Sequence, residues 1–504
     1  MTFEDLPEDI IRSILSFCDI RTVLAVGRTT RYNHRLSVEK LVWVDLVQDL
    51  RHRGFIDCLS HSDIQSLSQE ALVALVRRIL TGPASWNLGR PSLDATKSSF
   101  ISRLKRQPSA IFLKKTSDPP ATQPEVEISA RRALSRPGAA MEDPSNRDLL
   151  LLSGGEYLIA RSRPSLECWN IPANTLVWSR SVPEPLEIFS FAAEVLGGGD
   201  GTNILICQTC RFGVCSVEIV NLHFQTGLTN TLFSNLYPDP ANWRIKPRIC
   251  GNIACIGWEC RADQAPPKSF CILIDWKRML HLKLAPDNSQ HQECPIFVNL
   301  IRDHVFFVAN NRSGSAEIRL FDIAAFSAHW RPTADPAPLK PVYTTDIPTI
   351  VCEKITKSWY NFRRRFDLHA HESPVEEGRY RVWLCLSGFT GPKLGKGLSV
   401  EYRPLRFVYG YSLSLKDKVH WQQAAAPAAD NIDYWQSGTS YSGHKYGTLN
   451  GSGEFGVFRL ADASSTSFVM VGDSQSPHHG VQISPYSGAL TYYERDLVVV
   501  TYYK

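Results

Sequence analysis

The apolar periodicity of this 504-residue chain changes once, and that change limits what the chain can fold into. Up to about residue 86, apolar residues recur at helical spacing. Beyond about residue 148 they fall in short strand-sized runs separated by Gly, Asn, Asp and Pro. The pattern predicts a small all-α module followed by a large all-β domain.

In the first part, Pro7 suits a first helical position, where its missing N–H costs nothing. Ile10, Ile11, Ile14, Leu15 and Phe17 then form a broad apolar face. Asp19 caps a second helix carrying Ile20, Val23, Leu24 and Val26, which ends at Gly27. A short polar helix holds Tyr32 and Leu36, and another from about Glu39 buries Leu41, Val42, Trp43, Leu46 and Val47. Ser66 and Gln69 read as the capping pair of a fifth helix, with Leu72, Leu75, Val76 and Ile79 on one face and a stop at Gly82-Pro83. So small a cluster cannot bury all this surface within itself. It needs a partner, or it packs on the chain's own later domain.

The segment LPEDIIRSILSFCDIRTVLAVGRTTRYNHRLSVEKLVWVDLV resembles an F-box. The likeness rests on the Leu6-Pro7 opening with Glu8, the Ile-rich first helix, the Asp19-led second, and Leu41-x-Trp43 in the fourth. The third helix departs from the family pattern, with Gly27, Arg28 and Tyr32. The following LVQDLRHRGFIDCLSHSDIQSLSQEALVALVRRILTGPASW is similar to the region after the F-box in many fungal F-box proteins. The resemblance implies a non-catalytic substrate-recognition subunit of a Skp–cullin–F-box ubiquitin ligase. Its partners would be a Skp-type adaptor, through it a cullin, and a target protein, phosphorylated or not. Helix-in-groove docking would place the adaptor contacts at Leu6, Pro7, Ile10, Ile11, Ile14, Leu24 and Trp43.

The formal charge of +5 hints at nucleic acid until it is apportioned. Residues 87–147 hold 11 Lys or Arg against 6 Asp or Glu, whereas residues 148–504 hold 34 against 33. The excess therefore lies in a Pro- and Ser-rich stretch with the composition of a connector, and nucleic acid is not the expected partner. Its Arg103, Lys105, Arg106 and Arg131, Arg132 clusters suit an acidic partner or a localisation signal. The domains expected are 1–50 (F-box), 51–86 (its helical extension), 87–147 (basic linker) and 148–504 (β-propeller-like).

From Leu149 one unit is easy to read: LLLL, a Gly154-Gly155 turn, EYLIAR, a turn at Pro164, LECWN, a turn at Pro172 to Asn174, and LVWSR. Four strands joined by tight turns make one propeller-type blade. Its second half recurs as VEIVNLHFQTGLT at 217, CILIDWKRMLHL at 271, EIRLFDIAAFSA at 317 and FVYGYSLSLKDKVHW at 407. HGVQISPYSGALTYY at 479 is a degenerate member. The turn residues Asn170, Asn221, Asp275 and Asp322 keep a period of roughly 50, so a six- or seven-bladed propeller is favoured over a two-sheet sandwich. The Trp169-Asn170 ending resembles WD-type repeats, but without their Gly-His motif. The final DLVVVTYYK would close the ring on AIFLKK at 110 or on the first strand after 148.

Catalytic chemistry finds little support. Cys207-x2-Cys210 with Cys215, and the series Cys250, Cys255, Cys260, lack zinc-site spacing and read as buried reduced thiols. His369-x-His371 with Glu372 places two imidazoles on one strand face but offers no strong third metal ligand. Gly391 to Gly397 (GPKLGKG) fails as a phosphate loop, because Thr390 and Gly397 occupy the places of a Gly and a Ser or Thr. No nucleophile elbow or dinucleotide loop occurs, so no enzyme activity, cofactor or metal is expected. A basic and aromatic cluster offers the substrate-binding candidates Trp359, Tyr360, Arg363, Arg364 and Arg365, suited to an acidic or phosphorylated peptide. The opening MTFEDLPEDI has no basic region before an apolar one, and no apolar run reaches membrane-spanning length. A cytoplasmic or nuclear location with no membrane partner is expected.

Overall fold

The computed structural model describes residues 6–87 apart from 58, residues 127–135, and residues 148–504 outside 184–185, 211–213, 239–242, 261–269, 287–295, 311–314, 336, 357–364, 390–392, 395–399, 402–403, 417–419, 426–431, 434–437, 450–454, 461–468, 471–478 and 495–496. Helices fill the first of these stretches, and the rest is β.

The helices are α1 (Glu8–Ser16), α2 (Ile20–Val26), α3 (Arg31–Ser37), α4 (Lys40–His52), α5 (His61–Ser66) and α6 (Gln69–Thr81). Pro7 lies just before α1 as its cap residue, with an extended ψ of 144°. Asp19 caps α2 as expected, its carboxylate accepting from the Thr22 N–H at 2.7 Å. The expected Ser66–Gln69 cap is displaced: Ser66 ends the short helix α5, and the Ser68 hydroxyl caps α6 by accepting from the Ala71 N–H. Two serines two residues apart offer the same chemistry, and only the Ser60–Asp63 capping box, which starts α5, decides between them. Among the described residues no helix is long and apolar enough to cross a membrane.

The β region is a propeller, with seven sheets of four or more strands among the described residues, antiparallel throughout their four-stranded cores. The first blade comprises Asp148–Leu151, Tyr157–Arg161, Ser165–Asn170 and Thr175–Ser181, the unit read from sequence. Further blades begin at the inner strands Glu187–Val195, Trp243–Cys250, Ile296–Ile301, Arg365–Glu372, Ile432–Asp433 and His479–Ile483. Successive residues of a strand point to opposite faces, and here each face meets a different neighbour. Ile204 and Ile206 pack toward the first blade, while Leu205 and Cys207 pack toward the third. Seven apolar clusters arise in this way, each shared by two consecutive blades, and the one joining seventh to first closes the ring. Burial on both faces explains why the strands read as unbroken apolar runs.

The periodic turn residues have a physical cause. Asn170, Asp275 and Asp322 each end the third strand of a blade and accept a hydrogen bond from a backbone N–H two or three residues on. The segment at 479 is out of phase with this series: His479–Ile483 and Leu490–Glu494 are the first two strands of the seventh blade. Closure also differs from expectation. Leu497–Tyr503 pairs with Ile128–Ser135, inside the stretch expected to be linker, while AIFLKK at 110 lies outside the described residues. The signal was masked because Arg131 and Arg132 sit in that strand, where an outermost position leaves one edge to water.

Candidate functional site

The helical module has two faces with different fates. Ile11 and Leu15 are buried with Val23, Leu36, Val42, Trp43 and Leu46 in its core. Ile10 (44% exposed) and Ile14 (39%) on α1 and Phe17 (89%) at its C-cap lie at i, i+4 and i+7, and together they present a second apolar stripe to solvent. Leu24 (44%) on α2 and Leu41 (68%) on α4 are also exposed. Of the expected adaptor contacts, Pro7, Ile10, Ile14 and Leu24 are therefore accessible, and Leu6 is partly buried against the core. Ile11 and Trp43 are not available for docking. Ile11 is fully buried, and Trp43 is 4% exposed with its Nε1 donating to the Ser37 carbonyl at 3.0 Å. Adjacent residues such as Ile10 and Ile11 are equally apolar, and the sequence gives no sign of which one turns inward.

The module is tied to the ring by a polar seam. Arg21 pairs with Glu376 at 2.5 Å and Arg53 with Glu372 at 3.0 Å, and the Arg21 N–H donates to the Val375 carbonyl. Phe55 meets Tyr486 edge to face at 4.6 Å between ring centroids. Asp57 lies against the hydroxyls of Ser484 and Ser487 and the Gly154 N–H, with Arg78 near, yet burial pushes its carboxyl up to about 6. At Gly82, where φ is +82°, a Cβ would meet the His444 Cε1 at 2.7 Å, so the chain passes onto the sixth blade only as glycine. Trp86 then joins the cluster between the sixth and seventh blades. Of the two fates open to the helices, packing on the chain's own β domain is realised on one side, and an exposed apolar stripe remains on another.

The ring centre holds a charged cluster that the sequence did not announce as a unit. Asp367, His369 and His371 alternate along the inner strand of the fifth blade and so share one face. The His369 Nε2 is 2.8 Å from an Asp367 oxygen, and the two imidazoles are parallel within 4°, 6.1 Å apart. Lys445 of the sixth blade brings its Nζ to 2.5 Å from the other Asp367 oxygen. Burial raises the Asp367 carboxyl, but the charges of His369 and Lys445 outweigh it and hold the group well below the usual carboxylate range. Burial lowers His369. It also lowers His371, to about 3, with the neighbouring charge of His369 adding to the effect. Arg248 of the third blade is likewise lowered by burial, against the pull of Asp367. Beside the Asp367–Lys445 pair, burial thus favours the uncharged form of both imidazoles. His371 Nε2 has no hydrogen-bond partner among the described residues. Among the described residues no three His, Cys, Asp or Glu side chains gather as a metal site. Alternation of Asp367, His369 and His371 was the only sequence signal, since Lys445 and Arg248 arrive from other blades.

Trp359, Tyr360, Arg363 and Arg364 lie outside the described residues. Arg365 begins the inner strand of the fifth blade. Of GPKLGKG, Lys393–Leu394 forms a short strand pairing with Val400–Glu401, and its remaining residues lie outside the described set. Cys168, Cys207, Cys215, Cys255, Cys271 and Cys385 are buried free thiols.

No protein-family model and no curated protein matches this sequence. Similar solved structures include the β-propeller domain of Myceliophteria thermophila Cps50 (Swd1), at 10% identity and TM-score 0.38, covering 75% of this chain and 100% of that one. The WD40 domain of SCAP from fission yeast is similar at 10% identity and TM-score 0.39, covering 71% of this chain and 85% of that one. A chain of a mitotic checkpoint complex is similar at 11% identity and TM-score 0.38, covering 80% of this chain and 99% of that one.

Proposed function

We propose that this chain is the non-catalytic substrate receptor of a Skp–cullin–F-box ubiquitin ligase. Its helices would dock the Skp-type adaptor, and its propeller would hold the protein to be modified. The observation that carries the reading is the division of labour in α1: Ile11 and Leu15 build the core while Ile10, Ile14 and Phe17 remain exposed. An apolar stripe kept in water after the module has found its own core and its own ring is a docking surface.

The test is retention of a purified Skp-type adaptor by the full chain, comparing wild type with Ile10→Asp/Phe17→Asp. The wild type should retain the adaptor and the folded variant should not. A folded wild type that fails to retain it removes the reading. The second reading, a non-catalytic propeller scaffold or ligand-binding protein unconnected with ubiquitination, is favoured by the same Arg21–Glu376 and Arg53–Glu372 pairs, since they make the helices part of the ring's own architecture.

A further inference from the structure

The connection between the third and fourth strands of the fourth blade does not turn straight back. Residues 323–350 leave their own sheet and lay two short strands on the third blade. Arg331–Pro332 pairs antiparallel, and Pro341–Tyr343 parallel, with the outer strand Leu280–Ala285. The result is a strap across the outer edge of two neighbouring blades.

Strap and strand enclose a cleft of about 300 Å³, lined by Leu282, Val342, Trp330, Arg331, Lys340 and Asp346 among others. That volume is at the lower end of those that hold small ligands. Trp330 and Val342 pack from behind against the apolar cluster of the third and fourth blades, which fixes the indole in place. Arg331 and Lys340 are different from most cations of the ring. Arg180, Arg319 and Arg302 each pair with a glutamate, whereas among the described residues neither Arg331 nor Lys340 has a carboxylate within ion-pair distance. Among the residues that line the cleft, Asp346 is the one carboxylate against Arg331 and Lys340, and Asp335 lies on the same strap near His281.

We propose that this cleft binds a small organic anion: a flat apolar body carrying a phosphate, sulfate or carboxylate group. The apolar body lies on the indole and the aliphatic floor, removing them from water. The anionic group meets Arg331 and Lys340, which supply charge-assisted hydrogen bonds at the rim. A neutral ligand of the same shape would cover the floor and leave both cations unmatched, and a cationic one would be repelled. The site is independent of the adaptor-docking reading, since the ring contacts of the helices described above fall on the first, fifth, sixth and seventh blades.

The test is titration calorimetry of the full chain with 1-naphthyl phosphate, beside 1-naphthol and inorganic phosphate. Naphthyl phosphate should bind about tenfold or more tighter than either control. Arg331→Met/Lys340→Met should lose about tenfold in that affinity with an unchanged unfolding midpoint. Should the double variant not fold, the exposed Lys340→Met alone should lose about threefold. Equal binding of naphthol and naphthyl phosphate overturns the proposal, as does inorganic phosphate binding as tightly as the ester. Wild-type affinity in the charge-removed variants, or no binding of naphthyl phosphate at all, overturns it equally.

Discussion

The Nζ of Lys445 lies 2.5 Å from a carboxylate oxygen of Asp367, joining the fifth and sixth blades at the centre of the ring. The lysine is fully buried (0% exposed), whereas 26% of the Asp367 side chain is still exposed. Removing the cation with Lys445→Met leaves a carboxylate without its charge partner. The expected cost is about 3 kcal/mol in urea unfolding, the lower part of the range for breaking a buried pair, because Asp367 keeps some water. Lys445→Met/Asp367→Leu should recover much of that loss. A single-variant cost under about 1 kcal/mol would show that the pair is unimportant.

The two imidazoles beside that pair make the ring sensitive to acid. Burial holds His371 at about 3, below its ordinary 6.5, so the folded state refuses a proton that the unfolded chain accepts. Unfolding therefore takes up protons, and stability falls as pH drops from about 6.5 toward 3. At pH 5 the loss from one such imidazole is about 2 kcal/mol. His371→Gln should flatten the stability profile between pH 7 and pH 5 relative to wild type, as read by denaturant midpoints. A variant with the wild-type slope would mean that this histidine is not the group responsible.

Asp57 at the seam has the opposite sign. Its carboxyl is raised to about 6 by burial, so its contribution to stability is fully present below its ordinary 3.8 and is lost as pH rises through 6. Asp57→Asn keeps the size and an acceptor for Ser484 and Ser487 without the charge. It should stabilise the chain at pH 7.5 on the order of 1 kcal/mol and make no difference near pH 4. An equal effect at both pH values would point to lost hydrogen bonding instead of charge.

What the sequence revealed and what it hid divide along chain distance. The first blade was legible strand by strand because its hydrogen bonds close within residues 148–181 and its turns carry Gly154, Gly155 and Asn174 at positive φ. The Asn170, Asp275 and Asp322 series was legible for the same local reason. The Lys445–Asp367 pair spans 78 residues and the strand pairing of Leu134 with Val498 spans most of the chain, so neither leaves a periodic trace. The adaptor-facing residues fall between these cases. Helical spacing placed Ile10, Ile11 and Ile14 on one broad face, but the inward turn of Ile11 depends on where α3 and α4 pack.

Ring closure depends on a strand that composition disguises. Leu134 is 1% exposed and sits in the cluster that joins the seventh blade to the first. Leu134→Ala should cost about 2–5 kcal/mol, as for other large-to-small changes in a packed core. Deleting residues 127–135 from the full chain should do more, because Leu497–Tyr503 would become an unpaired edge. Aggregation on mild warming, followed by light scattering, is the expected sign. A deletion variant as soluble and as stable as wild type would mean that the ring closes without this strand.

The two faces of α1 allow docking and folding to be separated by experiment. Ile11→Ala empties a fully buried site and should cost about 2–5 kcal/mol, while Ile10→Asp and Phe17→Asp alter exposed side chains and should stay within about 0.5 kcal/mol of wild type. The comparison gives the adaptor experiment its control, since a loss of binding in Ile10→Asp/Phe17→Asp cannot then be ascribed to unfolding. If instead Phe17→Asp unfolds the module, its 89% exposure is misleading and the stripe belongs to the core. If both outer variants remain folded and the adaptor still binds at wild-type strength, the exposed stripe serves some other surface, and the scaffold reading gains.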